Sequence, residues 1–229
     1  MSLYAISDLH LSLGTNKSMN IFKGWDDYVS RIEKNWKDNI VDDDTVVIAG
    51  DISWAMRLEQ TFNDFSFIES LPGKKIFIKG NHDYWWTTKS KIEKYLKEHS
   101  FLSISILHNS VLPAGKFCIC GTRGWMPVPE VDSDLKILKR ELLRLKTSVD
   151  LARKTDLEPI VFLHYPPIYG LNICQKIINI LLENNIKKCY YGHIHGKNAH
   201  DNTITGNYQG IEFYLISCDY TNFSPLFIG

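Results

Sequence analysis

Five apolar runs of strand length, each ending in a short cluster of Asp, Asn or His, limit the folds open to this chain more than any other feature. Leu3–Ile6 leads into Asp8-Leu9-His10, Val46–Ala49 into Gly50-Asp51, and Lys75–Ile78 into Gly80-Asn81-His82-Asp83. Pro159–Leu163 leads into His164, and Cys189–Tyr191 into Gly192-His193-Ile194-His195. The runs are rich in β-branched and aromatic residues, as buried strands are. Between them lie helical patterns: Trp25, Tyr28, Val29, Ile32 and Trp36 recur at intervals of three and four, and Leu58 to Ser70 forms a helix stopped by Pro72-Gly73. Ile92, Tyr95 and Leu96 mark a third helix, and Asp132 to Lys154 a fourth with Leu135, Leu138, Leu142, Leu145 and Val149 on one face. Ile173, Ile177, Ile178 and Leu181 mark a fifth, and Ile211–Ile216 reads as a late strand. Strand alternating with helix predicts an α/β architecture with its site at the carboxyl ends of strands.

The polar clusters have the chemistry of a metal site. In extended chain, side chains at i and i+2 leave the same face, so Asp8 with His10, and His193 with His195, each reach one centre. Gly50, Gly80 and Gly192 stand beside candidate ligands, where the absence of a Cβ lets the chain turn as it leaves a strand. Imidazole and carboxylate suit Mn, Fe, Zn or Co, and the absence of Cys argues against a structural zinc cage. Asp8, His10, Asp51, Asn81, His164, His193 and His195 are more donors than one cation needs, whereas a pair of cations sharing a carboxylate can use them all. Asp51 is the natural bridge. Two dications against only Asp8 and Asp51 leave surplus positive charge, which favours a phosphate substrate.

Asp-x-His, Gly-Asp, Gly-Asn-His-Asp, His and Gly-His-x-His, in this order over residues 8 to 195, resemble the calcineurin-like metallophosphoesterase superfamily. The resemblance implies a four-layer sandwich of two mostly mixed β-sheets flanked by α-helices. It further implies phosphoester hydrolysis by a hydroxide bridging two divalent metal ions, Mn2+ first among the candidates. Asp8, His10, Asp51 and His195 would hold one ion, and Asp51, Asn81, His164 and His193 the other. His82 would face the substrate as a stabiliser or proton donor to the leaving oxygen, with Asp83 orienting His82 or its backbone. Phosphoprotein phosphatases of the superfamily continue Gly-Asp with x-x-Asp-Arg-Gly, but here Ile52-Ser53-Trp54-Ala55-Met56 follows. The chain is thus more similar to small bacterial-type phosphohydrolases, acting on a phosphomonoester or phosphodiester, with nucleotides among the candidates. A nuclease and a non-catalytic scaffold of the same fold remain the alternatives.

Lys+Arg and Asp+Glu are both 26, so no net charge steers the chain to nucleic acid or an anionic membrane, and a small phosphorylated substrate is favoured. No apolar run approaches a membrane span. The five cysteines form no Cys-x-x-Cys pair and read as reduced, buried residues of a cytoplasmic protein. With 229 residues, no repeat and no linker, a single metallophosphoesterase domain over 1–229 is expected. Trp54, Tyr84, Trp85, Trp86, Trp125 and Tyr165 lie near the motifs as substrate contacts or loop wedges. Arg123 is a candidate phosphate clamp or an ordinary ion pair, and His99, His108 and His200 read as surface or loop residues.

Overall fold

The apolar runs pair into two mixed sheets in a computed structural model that describes residues 1–125 and 131–229. Along the chain the first half supplies β1 (Leu3–Ile6), α1 (Tyr28–Asn39), β2 (Thr45–Ala49), α2 (Phe62–Ser70), β3 (Lys74–Ile78), α3 (Lys89–Glu98) and β4 (Ile104–Ile106). The second half supplies β5 (Leu112–Ala114), β6 (Phe117–Thr122), α4 (Asp132–Ala152), β7 (Glu158–Leu163), β8 (Ile168–Tyr169) and β9 (Asn172–Ile173). It continues with α5 (Gln175–Glu183), β10 (Lys188–Tyr191), α6 (Lys197–His200), β11 (Gly206–Tyr208), β12 (Ile211–Leu215) and β13 (Leu226–Phe227).

Strands β1 to β4 run parallel, with β13 antiparallel against β1, in the order β13-β1-β2-β3-β4. The second sheet has the order β11-β12-β10-β7-β6-β5, parallel at its centre and antiparallel at both edges. Alternation along each strand sorts side chains into three cores. Val46 and Ile48 pack against Tyr28, Ile32 and Trp36 of α1 and Phe65 of α2, while Val47 and Ala49 turn inward to meet Ile119, Ile160 and Phe162 of the other sheet. The outer face of the second sheet packs Val161, Tyr191 and Phe213 against Leu145 and Val149 of α4 and Ile177, Ile178 and Leu181 of α5. The result is a four-layer α/β/β/α sandwich, the architecture that the motif resemblance implies. Burying an aliphatic or aromatic side chain stabilises by ~1.5–3 kcal/mol, so the three cores are the main source of stability.

Local sequence explains the element ends. Leu71 precedes Pro72, which disfavours helical backbone before it, and α2 stops with Leu71 at ψ 146°. Trp25, expected within the first helix, lies before it, since Asp27 at φ 51° breaks the helix and lets Trp25 pack on Phe223 instead. Ile173, expected to open the fifth helix, pairs with Ile168 in the hairpin β8–β9.

The two sheets meet at their carboxyl ends. Ser7 N–H donates to Ile216 O at 2.8 Å and Cys218 N–H to Ser7 O at 3.0 Å, so the chain leaving β1 is joined to the chain leaving β12. Asp8 N–H donates to Gly50 O at 2.9 Å and Gly192 N–H to His164 O at 3.1 Å. Backbone hydrogen bonding therefore continues past the strands and sets the post-strand segments side by side.

Candidate metal centre

Every expected ligand lies on one of these segments, and the backbone there is strained. Asp8 (φ 63°), His10 (φ 45°), Asp51 (φ 52°) and His193 (φ 75°) all occupy the left-handed region, at a cost on the order of 1–3 kcal/mol each. Only a surrounding network sustains such conformations. The carboxylate of Asp83 supplies much of it, accepting from Gly80 N at 2.7 Å, Ile52 N at 2.8 Å, Asp51 N at 3.0 Å and the Trp85 indole at 3.1 Å. Asp83 thus clamps two turns to one another, and none of these hydrogen bonds goes to the His82 ring.

The glycines serve close approach more than turning. A Cβ on Gly80 would overlap the Asp51 carboxylate, and one on Gly192 would overlap Ser7 Oγ and Asp8 Oδ2, although neither glycine has a positive φ. Gly50 does both, with φ +95° and an added Cβ only 2.6 Å from His164 Nδ1.

Two triads result, Asp8 with His10 and His195, and Asp51 with His164 and His193. Asp51 Oδ2 lies between their imidazole Nε2 atoms, 3.7 Å from His10 Nε2 of the first triad and 3.5 Å from His164 Nε2 of the second. Its partner oxygen, Oδ1, accepts from His82 N at 2.8 Å. Asp8 Oδ1 lies 3.4 Å from His195 Nε2 and 3.9 Å from His164 Nδ1, and Oδ2 accepts from His193 N at 2.9 Å. Asn81 places Oδ1 2.7 Å from His164 Nε2.

The donor set fits divalent cations. His164 Nδ1 donates to Ala49 O at 3.1 Å, so its Nε2 carries a lone pair facing Asn81 Oδ1, itself an acceptor. Two acceptors aimed at one another repel, and a cation between them turns that repulsion into coordination. Electrostatics agree. Burial, with Asp8 and Asp83 adding to it, pushes Asp51 well above the usual carboxylate range. Burial also pushes Asp8 up, but His195, His164 and His10 outweigh it and hold Asp8 well below that range. Burial lowers His164 to about 3 and His193 to about 4, keeping both neutral and able to coordinate. In His195 burial is outweighed by Asp8 and Asp219, which raise it to about 10, so the site draws positive charge to itself.

Asp219 was not foreseen from the sequence. Its Oδ1 accepts from His195 Nδ1 at 2.9 Å and its Oδ2 from Gly196 N at 2.8 Å, with His200 Nε2 3.3 Å away. It follows the apolar run of β12 as the other motifs follow theirs, which was the available signal. His200, expected as a surface or loop residue, ends α6 and is mostly buried beside this carboxylate.

The aromatic cluster divides. Trp85 is 2% exposed and packs edge-on against Phe65 at 5.0 Å, so it belongs to the core. Trp54 stacks on His10 at 4.9 Å and lies 4.4 Å from His82, and Tyr165 lies 4.2 Å from His193. Tyr84, half exposed, brings its hydroxyl to 3.4 Å from His82 Nδ1. Arg123 lies 3.9 Å from Glu141 and over the Trp125 ring at 4.7 Å, the ion-pair reading of that residue.

Residues 1–197 match a family model described as calcineurin-like phosphoesterase. No curated protein sequence matches the chain. Among solved structures, a protein of unknown function from Aquifex aeolicus aligns with TM-score 0.52 and 18% identity, over 99% of this chain and 95% of that one. The phosphopantetheinyl hydrolase of Mycobacterium tuberculosis aligns with TM-score 0.55 and 14% identity, again over 99% and 95%. A protein of Thermus thermophilus aligns with TM-score 0.51 and 13% identity, over 85% and 82%. At such identities these likenesses concern the fold.

Proposed function

Because the chain belongs to the calcineurin-like phosphoesterase family, and is therefore a metal-dependent phosphoric ester hydrolase, we propose that it cleaves a small phosphomonoester or phosphodiester at a pair of cations. The observation that carries this is the position of Asp51 Oδ2 between His10 of one triad and His164 of the other. Asp8, His10, Asp51 and His195 form one binding set and Asp51, Asn81, His164 and His193 the second. Manganese is the first candidate, with iron, zinc and cobalt suited to the same donors. Bound there, divalent cations supply Lewis-acid charge to the phosphoryl oxygens and acidify water.

The chain's own groups do the remaining work. His82 is not in either triad, and its ring lies 5.7 Å from that of His10, so we assign it to the departing oxygen of a bound ester. It holds the proton for that oxygen. Asp219 fixes the His195 ring through Nδ1 and so directs Nε2 inward. Asp83 acts through the backbone as a positioning residue. Among the described residues no helix is long and apolar enough to cross a membrane, and all five cysteines are free and buried. Both suit the cytoplasmic location we assign.

Hydrolysis of p-nitrophenyl phosphate, its bis-ester and single-stranded DNA, with Mn2+ and after chelation, tests the reading. Chelator-sensitive cleavage of a small ester without cleavage of DNA is expected. Cleavage of DNA alone, or of nothing, contradicts it.

A further inference from the structure

A cleft of about 440 Å³ opens beside His10, His82 and His195, and most of its wall is apolar. Met19, Phe22, Trp25 and Trp54 form that wall, with Lys23 as its ammonium group. Trp25 is only 3% exposed and is held edge-on to His195 at 5.5 Å and to Phe223 at 5.2 Å, so it backs the cleft from the core. Trp54 is held by stacking on His10 at 4.9 Å, while the Lys17 ammonium lies 5.3 Å from its ring centre. Phe22 stands 52% exposed at the mouth. Lys23 makes no ion pair among the described residues.

A phosphoryl group gains nothing from such walls, since an anion in apolar surroundings loses hydration without gaining a partner. The phosphoryl half of a substrate therefore belongs at the triads and the organic half in the cleft. His82 lines both regions, which puts the departing oxygen at their boundary. The exposed ring of Phe22 and the partly buried ring of Trp54 favour flat rings, which stack or meet them edge-on at ~0.5–1.5 kcal/mol beyond area burial. The volume lies within the range of small-molecule sites, which are mostly apolar with a few placed polar groups.

We propose that the cleft walled by Met19, Phe22, Trp25 and Trp54 binds the leaving-group half of the substrate, and that this half carries a flat aromatic ring. The inference rests on the phosphoesterase reading of the adjoining triads.

Affinity for two non-hydrolysable probes, benzylphosphonate and methylphosphonate, measured by calorimetry on the Mn2+-loaded full chain, tests the inference. Wild type should bind the benzyl compound at least about 10-fold more tightly, and Phe22→Ala should lower that ratio to about 3-fold or less. Phe22 is exposed enough for this variant to fold, and Trp54→Leu should act in the same direction. Equal affinities in wild type, or a ratio unmoved by both variants, would overturn the inference. Hydrolysis of p-nitrophenyl phosphate on the same samples separates the two readings. Ring preference without hydrolysis counts against the phosphoesterase reading alone, and hydrolysis without ring preference against the cleft alone.

Discussion

His82 stands next to Asn81 in sequence yet outside both triads, and its ring is shared between Trp54, His10 and the Tyr84 hydroxyl. If it donates the proton to the leaving oxygen, His82→Ala should keep both cations and lose ~10²–10⁴-fold in kcat. The loss should be far larger for an alkyl ester than for a nitrophenyl ester, whose leaving group departs nearly unaided. Equal losses would leave His82 as a clamp on the phosphoryl oxygens. Asp219→Asn should weaken metal binding ~10–100-fold at the site of His195, read as a split in Kd for the two cations. A variant with unaltered affinities would reduce Asp219 to a loop anchor. The ligand candidates were legible because each terminates an apolar run, but their supports were less so. Asp219 escaped notice because it stands alone after its strand, with no neighbouring His or Gly to mark it. The distinction between Trp85 in the core and Trp54 against His10 needs tertiary contacts, since both lie equally near a motif in sequence.

At the scale of elements, the long parallel strands β1, β2, β3, β7 and β10 were readable, because strands buried on both faces are nearly continuous apolar runs. The short edge strands β4, β5, β11 and β13 were not, since they bury few residues and owe their conformation to the neighbour they pair with. Strand β6, Phe117–Thr122, was hidden by its two cysteines, which pack there as small hydrophobes. Strand β3 carries an unexpected charge. Lys75 is 1% exposed, with its Nζ donating to Leu71 O at the end of α2 and to Ser103 Oγ at 3.1 Å. Burial lowers it to about 8 against the favourable pull of Glu69. The folded chain thus binds this proton less well than the unfolded one, whose Lys titrates near 10.4. Stability should therefore be lost as pH falls from about 10 to 8 and be level below 8. The unfolding free energy of wild type relative to Lys75→Met should rise as pH rises through that window, by on the order of 3 kcal/mol in full. A pH-independent difference between the two would show that Lys75 titrates normally.

For the molecule as a whole, the seven candidate ligands come from the ends of strands in both sheets, and the sheets are joined through Ser7, Ile216 and Cys218. We propose that residues 1–229 behave as one domain, so denaturation followed by tryptophan fluorescence and by circular dichroism should give coincident single transitions. Two separated transitions would divide the chain between its sheets. The order of strands and helices made an α/β fold legible, whereas the packing of two sheets face to face followed only from the motif resemblance. Periodicity does not say which sheet a strand joins. Bridging of two cations by Asp51 is read from metal content at saturation. Elemental analysis after Mn2+ titration should give two ions per chain in wild type, with Asp51→Asn weakening both and Asn81→Ala weakening one. One ion at saturation in wild type, or equal losses in the two variants, would contradict the account.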